Sequence, residues 1–467
     1  MDPLLLLLIG IVVVIGGIVW LRMNAFVALL AAGIAVATLT PRENIVRYAL
    51  AQGATAEAAA AQADEPIGTK LAEKFGNTCT RLGLLIAMAS IVGACLLASG
   101  GAERIVRSAL ALFGEPRAPL VFAGSGFVLG IPIFFDTVFL LLIPLVRAMT
   151  LRTGRNFLLY VLCIAVGATM THSLVPPTPG PLFVANALKV DLGAMMVGGL
   201  LLGLGTVSAG LAYAWWANRR WPAVMAPVAG AEAPAAVERP ERELPPLGLA
   251  LAPIFVPVIL ISGLTITRNL APHSPLADVM GRIGHPNIAM AIAAVIALAT
   301  LFWKQHGDRL AVRTQVQNAL ADAGTIILVT AAGGIFGGVL QETGVGLRIQ
   351  DLAETYRIAV LPLAFVVTAL VRVAQGSATV AMVTSVGILG GFGSAELLGF
   401  HPLYLALAIG CGSKPGPWMN DSGFWVVCKM SGLSETETLR SYSAMLSLMG
   451  LVGFVLVMLA ARLMPLV

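Results

Sequence analysis

The chain alternates long apolar runs with short polar segments, and the length of those runs predicts its helices. Several windows exceed the roughly 18–20 apolar residues that an α-helix needs to cross a bilayer. The pattern therefore predicts transmembrane helices. The uninterrupted ones are Pro3–Leu21, Asn24–Leu39, Leu82–Ser99, Ala194–Trp216, Gly248–Thr267, Asn287–Trp303, Thr325–Leu340, Ile358–Val371 and Ser441–Met464.

Four further stretches interrupt apolar sequence with small, polar or Pro-Gly-rich residues: Gly130–Asp136, Thr171–Pro181, Arg372–Gly391 and Gly410–Trp425. Irregular backbone at membrane depth is tolerated only where it is buried in protein or lines a cavity. We therefore expect the four breaks to converge, with the N-termini of half-helices bringing partial positive charge toward an anion. The flanking segments raise the predicted total to about a dozen transmembrane helices with paired re-entrant hairpins.

The two halves of the chain resemble each other at a nearly constant offset. Gly93 matches Gly334, Gly167 matches Gly410, and the breaks follow in the same order in each half. Paired breaks at corresponding positions are typical of transporters built from inverted repeats around a site at the midplane. The sequence thus predicts an all-α polytopic membrane protein with two inverted repeats.

This pattern divides the chain into five segments. Residues 1–81 hold two N-terminal spans and an extramembrane segment, Pro41–Arg81. The first transport repeat is 82–216, a hydrophilic linker occupies 217–247, connecting spans fill 248–321, and the second repeat with the last span is 322–467. The linker is rich in Ala, Pro and Glu and has few large apolar residues, so it cannot bury a core.

Arg372 is the most informative charged residue because it stands at the end of an apolar run. A guanidinium stays charged at any accessible pH, so it must face protein or a watery cavity rather than lipid. Gly376, Ser377 and Thr379 follow it and suit a turn whose backbone and hydroxyls face a ligand. A snorkelling arginine at a helix end is the structural alternative. We predict that Arg372 binds a substrate carboxylate through paired hydrogen bonds.

The other ionisable residues of the apolar regions lie in the same breaks. Asp136 lies in an apolar break between Phe135 and Thr137, and we predict that it carries the coupled proton. The predicted substrate-binding set is completed by His172, Lys414, Asn420 and Asp421. Lys414 precedes a proline and could instead mark a helix end.

Composition excludes a soluble protein: of 467 residues, 58% are hydrophobic and only 11% are charged, with a mean hydropathy of +0.89. The formal charge of +5 is spread over short loops, so it bears on orientation in the bilayer and not on nucleic acid. The cysteines form neither a metal cluster nor an evident disulfide framework, and we predict no cofactor. They are Cys79, Cys95, Cys163, Cys411 and Cys428.

Basic residues in short loops predict orientation, because such loops face the cytoplasm. Two basic clusters lie after predicted spans, and counting back from them places the N-terminus outside. The residues concerned are Arg219, Arg220, Lys304, Arg309 and Arg313, with Arg104 and Arg107 also inside.

At the breaks the chain resembles the gluconate permease (gluconate:proton symporter) family of the ion transporter superfamily. The matching motifs are Gly130-Ile-Pro-Ile-Phe-Phe-Asp136, His172 with Val175-Pro-Pro-Thr-Pro-Gly-Pro181, Gly376-Ser-Ala-Thr-Val-Ala381 and Asn420-Asp-Ser-Gly-Phe-Trp425. The resemblance covers nearly the whole chain. One departure is Thr178, where the family pattern leads us to expect histidine.

The resemblance implies a multi-pass importer of the bacterial inner membrane. Its substrate would be a sugar acid such as gluconate or a related small hydroxy acid, carried with protons, and the superfamily implies paired re-entrant hairpins and a homodimer. Permeases for hydroxybutyrate, glycerate or D-serine are the alternative.

Two other classes compete with secondary transport. A membrane-embedded enzyme could use Ser377, His172 and an aspartate, but no nucleophile motif or metal-ligand spacing is present. A channel is the third class, and uphill accumulation of substrate would exclude it. The sequence has no phosphate-binding loop of the Gly-x-x-x-x-Gly-Lys type.

Overall fold

The computed structural model describes residues 1–223, 240–271, 274–345, 360–389 and 398–466. Within these ranges the protein is built from helices and turns, and no β-strand occurs. Most of the predicted linker lies outside the described residues. The first two residues of the predicted span Ile358–Val371 and the last two of the predicted break Arg372–Gly391 also lie outside them.

The helices are numbered α1–α22 in chain order. In the first half, the helices are α1 (Pro3–Val19), α2 (Ala25–Leu39), α3 (Arg42–Ala51), α4 (Ala56–Asp64), α5 (Ile67–Thr78), α6 (Leu84–Ala98), α7 (Gly101–Phe113), α8 (Ala118–Leu129), α9 (Phe135–Thr153), α10 (Phe157–Leu174), α11 (Pro179–Ala187) and α12 (Leu192–Arg220). The second half contains α13 (Leu247–Leu270), α14 (Pro275–Ile283), α15 (Pro286–Lys304), α16 (Arg309–Glu342), α17 (Val360–Gln375), α18 (Ala378–Leu389), α19 (Pro402–Gly412), α20 (Ser422–Ser431), α21 (Glu435–Thr438) and α22 (Ala444–Leu463).

Seven helices of the described ranges are long and apolar enough to cross a membrane, or eight if the bent pair α2 and α3 counts as one span. They are Ile67–Ala98, Phe157–Ala187, Leu192–Arg220, Leu247–Arg268, Pro286–Lys304, Arg309–Glu342 and Glu435–Leu463. Shorter apolar helices correspond to other predicted apolar segments: the N-terminal helix, α17, α18 and α19. The all-α polytopic membrane fold is therefore confirmed.

All four predicted segment boundaries fall inside helices: the one at 216/217 lies near the end of α12, the one at 247/248 follows the first residue of α13, and the other two lie deeper within continuous helices. The boundary at 81/82 lies within the helical run Ile67–Ala98, where a π-helical turn at Cys79–Gly83 joins α5 to α6. The boundary at 321/322 lies within α16. Three helices, α3 to α5, occupy the region read as extramembrane. The hydropathy pattern stops predicting a span where charged residues begin. The helix itself continues past that point, because its backbone hydrogen bonds do not depend on the polarity of the side chains.

The centre of the molecule is the run formed by α10 and α11. Its most apolar window is 94% buried, against 39–56% for the other long spans. Helix α10 is apolar all round, which is the pattern of a helix enclosed by others. This enclosure places His172, in the last turn of α10, inside the protein.

Glycine brings α8 and α10 into close contact. A methyl group at Gly167 would stand 2.0 Å from the carbonyl oxygen of Ala123 and 2.5 Å from the amide nitrogen of Phe127. The other glycines of the sequence repeat are also crowded: a Cβ at Gly334 would lie 2.0 Å from Thr78 Oγ1, and one at Gly410 would lie 2.8 Å from Ser173 O. Close packing thus accounts for glycine at these sites, and the inverted repeat stays a prediction.

We expect Gly167→Ala to destabilise the protein because the new methyl group meets backbone atoms that cannot move without shifting α8. Overpacking of this kind costs roughly 1–3 kcal/mol or more. Thermal unfolding of the purified protein in detergent would measure the loss. Gly124→Ala on α8 is the matched control, since nothing lies within 4 Å of a Cβ there. Equal stability of the two variants would contradict the tight contact.

Candidate functional site

The breaks converge on a cavity of about 170 Å³. Every predicted site residue except Asn420 lines it. The lining residues are Phe134, Phe135, Asp136, Thr169, His172, Arg372, Gly376, Ser377, Ala378, Thr379, Lys414, Asp421, Ser422, Gly423, Tyr442 and Leu446. The cavity is smaller than the ~300–1,000 Å³ typical of sites for drug-sized ligands. Its size suits a small acid.

Arg372 occupies the last turn of α17, and its side chain is only 4% exposed. Its Nη2 forms an ion pair with Oδ2 of Asp421, which is equally buried. Nε and Nη1 of Arg372 have no hydrogen-bond partner among the described residues. Unpaired buried donors of a guanidinium are costly, so these two N–H groups are available to an anion that enters the cavity.

The turn after Arg372 depends on Gly376. This residue has φ +76°, and a Cβ there would lie 2.1 Å from the carbonyl oxygen of Asn420. Ser377 comes next, and its Oγ accepts a hydrogen bond from the amide of Val380, which caps α18. The sequence therefore places the first turn of α18, with Thr379, at the wall of the cavity.

Asp421 has a second partner besides Arg372. Its Oδ1 accepts a hydrogen bond of 2.6 Å from the amide of Phe424, so the carboxylate caps α20. In the neighbouring residue, Ser422 Oγ donates to Oδ2 of Asp136 at 3.3 Å. Asp136 itself lies in the first turn of α9. The N-termini of α9, α18 and α20 thus meet at the cavity, and each contributes partial positive charge to it.

Lys414 and His172 line the same cavity on the side of α10. The Nζ of Lys414 donates a 2.5 Å hydrogen bond to the carbonyl oxygen of Thr169. The ring of His172 packs edge-to-face against Phe134, with centroids 5.6 Å apart, and its Nδ1 has no partner within the described ranges. Lys414 directly follows the C-cap residue of α19, as the sequence allowed, but it is buried rather than snorkelling.

Asn420 lies outside the cavity. Its amide donates to the carbonyl oxygens of Val373 at 2.7 Å and Ala374 at 3.2 Å, at the C-terminal end of α17. It therefore holds the end of the helix that carries Arg372. Thr178 is also absent from the lining: it is buried, and its hydroxyl donates to Val175 O at 2.7 Å.

Sequence reasoning missed Tyr442 and Leu446 because no polar break marks that part of the last apolar run. Tyr442 lies in a π-helical turn, Leu439–Ser443, at the start of α22. Its ring stacks on Phe135, with centroids 6.0 Å apart and planes inclined by 18°. Tyr442 stands between Ser441 and Ser443 at the start of the predicted span, and this was the one available signal.

A second cavity, of about 430 Å³, adjoins the first at Phe134, which lines both. Three polar residues of α16 line it at helical spacing: Gln315, Asn318 and Asp322. The charged cavity and this larger cavity therefore share Phe134 as a wall residue.

A helical protein with several membrane spans that enclose a small charged cavity belongs to the class of membrane transport proteins. The sequence profile of the GntP family permeases matches residues 2–463, nearly the entire chain. The chain therefore belongs to the GntP permease family, and it is a transporter rather than an enzyme.

Individual relatives agree with this assignment. The gluconate permease of Pseudomonas aeruginosa is 32% identical over 398 residues, covering 85% of this chain and 88% of the relative. The inner membrane permease YgbN of Escherichia coli K12 is 30% identical over 401 residues, covering 84% and 87%. The YdaH transporter of Alcanivorax borkumensis shares the fold, with a TM-score of 0.59 at 17% identity over 86% of this chain and 89% of that one. The protein is a multi-pass component of the bacterial inner membrane.

Proposed function

We propose that the protein imports a sugar acid such as gluconate, or a related small hydroxy acid, together with protons. The observation that carries this proposal is Arg372, a buried guanidinium in the cavity wall with Nε and Nη1 unpartnered among the described residues. The Nε–H and Nη1–H groups point to different sides of the guanidinium, so each would donate a separate charge-assisted hydrogen bond to a substrate oxygen, a carboxylate oxygen among them. Small hydroxy acids supply that carboxylate and add hydroxyls for Ser377, Thr379 and Lys414.

Charge balance supports proton symport. The cavity contains two cationic side chains, Arg372 and Lys414, and two acidic ones, Asp136 and Asp421. A substrate carboxylate adds one negative charge where charges are poorly solvated, and one proton on a cavity carboxylate would offset it. Asp136 is the proposed carrier because its hydrogen bond in the described structure comes from a neutral hydroxyl, whereas Asp421 pairs with Arg372.

The relative from Pseudomonas aeruginosa is named a gluconate permease, which supports gluconate as the first substrate to test. The small cavity suits shorter acids as well as it suits gluconate, so hydroxybutyrate, glycerate and D-serine are the alternative substrates. Thr178 lies outside the wall of this cavity, so we expect the departure from the family pattern to alter no direct contact with the substrate. From the superfamily resemblance we also propose a homodimer with two inverted repeats and paired re-entrant hairpins, testable by mass in detergent and by mapping topology.

Uptake by the purified protein in vesicles tests the proposal. Labelled gluconate should accumulate against its gradient when a proton gradient is imposed, and the other acids should compete in order of their affinity. Accumulation that does not depend on the proton gradient would exclude proton symport. Equilibration without accumulation would indicate a channel, and product formation would indicate an enzyme.

Cysteine labelling should map the cavity from water. Cysteines at Gly376, Ser377 and Thr379, and along Asp421–Gly423, should react with aqueous thiol reagents, and substrate should protect them. A cysteine at Asn420 should react but gain little protection, since that residue is exposed outside the cavity.

Two control positions should stay inert. Leu29 is fully buried in the core, and Val455 is exposed on the surface of a membrane-spanning helix. Uniform lack of labelling at the cavity positions would mean that the cavity is not a water-accessible site. Labelling of Leu29 or Val455 would mean that the reagent also reaches buried or lipid-facing positions, so that labelling does not mark the cavity.

A further inference from the structure

We infer that Tyr442 is a specificity-determining residue that binds a hydroxyl group of the transported acid. The inference rests on the proposed function, since it concerns which acids the cavity prefers. Tyr442 is only 1% exposed and lines the cavity. No hydrogen bond joins its hydroxyl to any residue in the described part of the chain. Because buried tyrosine hydroxyls usually have a partner, a ligand in the cavity is the natural one.

The ring of Tyr442 is held in place by its neighbours. It stacks on Phe135, which packs against Phe139 at a centroid distance of 5.9 Å. All three side chains are buried. Because the ring is already ordered, its hydroxyl loses little further conformational entropy when it binds a ligand. Its hydrogen bond therefore contributes more to the free energy of binding than one from a mobile serine side chain would.

The backbone at Tyr442 is also unusual. Leu439–Ser443 is a π-helical turn between α21 and α22. Such turns are rare, carry one extra residue and frequently occur at functional sites. The capping box of Ser434 and Glu437 fixes the preceding turn, so the position of the π-turn is defined by the structure around it.

The chemistry of a phenol suits a substrate hydroxyl. A phenol both donates and accepts hydrogen bonds, as does an alcohol, whereas Arg372 only donates and suits the carboxylate. The two residues therefore recognise different groups of the substrate. The guanidinium of Arg372 selects an acid, and Tyr442 selects a hydroxy acid over an acid without hydroxyls. A site that hydrogen-bonds a substrate hydroxyl rejects the analogue that lacks it, because a buried polar group is then left unpaired.

The test is Tyr442→Phe, which removes the hydroxyl and keeps the ring. We expect its affinity for the hydroxy acid to fall roughly tenfold, as for loss of one hydrogen bond. Its affinity for the matching deoxy acid should stay close to that of the unaltered protein. The control is Tyr160→Phe, since Tyr160 is also buried but packs on Phe122 away from the cavity. Competition against labelled substrate measures each affinity.

The outcomes separate the two proposals. If the unaltered protein transports no hydroxy acid, the proposed function fails. If it does, but Tyr442→Phe leaves the ratio of hydroxy to deoxy affinity unchanged, the role of Tyr442 is overturned, including the case in which both affinities fall equally.

A second arm uses only the unaltered protein, so that a variant that does not fold leaves the inference testable. Among monodeoxy analogues of the transported acid, one should bind about tenfold more weakly than its parent. Equal affinity for all of them would overturn the inference.

Discussion

Arg372→Lys should lose most substrate binding while the protein still inserts and folds. Lysine keeps the positive charge beside Asp421, so the buried ion pair with that carboxylate can re-form. It offers a single nitrogen in place of the planar guanidinium, so the donors at Nε and Nη1, which have no partner among the described residues, disappear. Each hydrogen bond to a charged group contributes about 1.5–3 kcal/mol. We therefore expect affinity to fall roughly a hundredfold or more.

Binding of labelled substrate to purified protein measures this loss directly. The matched control is Arg462→Lys, the same replacement at an exposed arginine in the last turn of α22. The control should bind as the unaltered protein does. Near-normal affinity in Arg372→Lys would show that the carboxylate binds elsewhere, with Lys414 the next candidate.

Asp136→Asn should abolish proton-driven accumulation yet retain exchange of substrate across the membrane. Asparagine matches aspartate in size and still accepts a hydrogen bond from Ser422, so the cavity keeps its shape. It cannot take up and release a proton, so transport loses its link to the proton gradient. The expected change is qualitative: no concentration of substrate above equilibrium, with exchange of labelled for unlabelled substrate preserved.

Two measurements on vesicles decide this prediction, uptake against a gradient and counterflow at equilibrium. Ser422→Ala is the control, because it removes the hydrogen bond to Asp136 and leaves the carboxylate in place. It should still accumulate substrate. If Asp136→Asn concentrates substrate, the proton moves through another group, and His172 is the next residue to change.

The residues of the candidate site could be predicted because the membrane makes their chemistry conspicuous. A charge or a Pro-Gly break within an apolar run is costly in lipid, so Arg372, Asp136 and Lys414 each indicate a protein interior from local sequence alone. The motifs that resemble the family lie in the same breaks. Tyr442 escaped notice because a tyrosine in an apolar helix is not costly, and only the π-turn distinguishes its position.

The sequence by itself determined the all-helical membrane fold, the breaks and most of the residues that line the cavity, since these depend on hydropathy and backbone chemistry within a few residues. Tertiary structure alone decided which residues meet. It paired Arg372 with Asp421, moved Asn420 to the carbonyls at the end of α17, and placed Tyr442 against Phe135. It also buried α10 at the centre, although lipid-facing and enclosed helices are both apolar. Contacts between segments far apart in the chain follow from packing, which hydropathy does not encode.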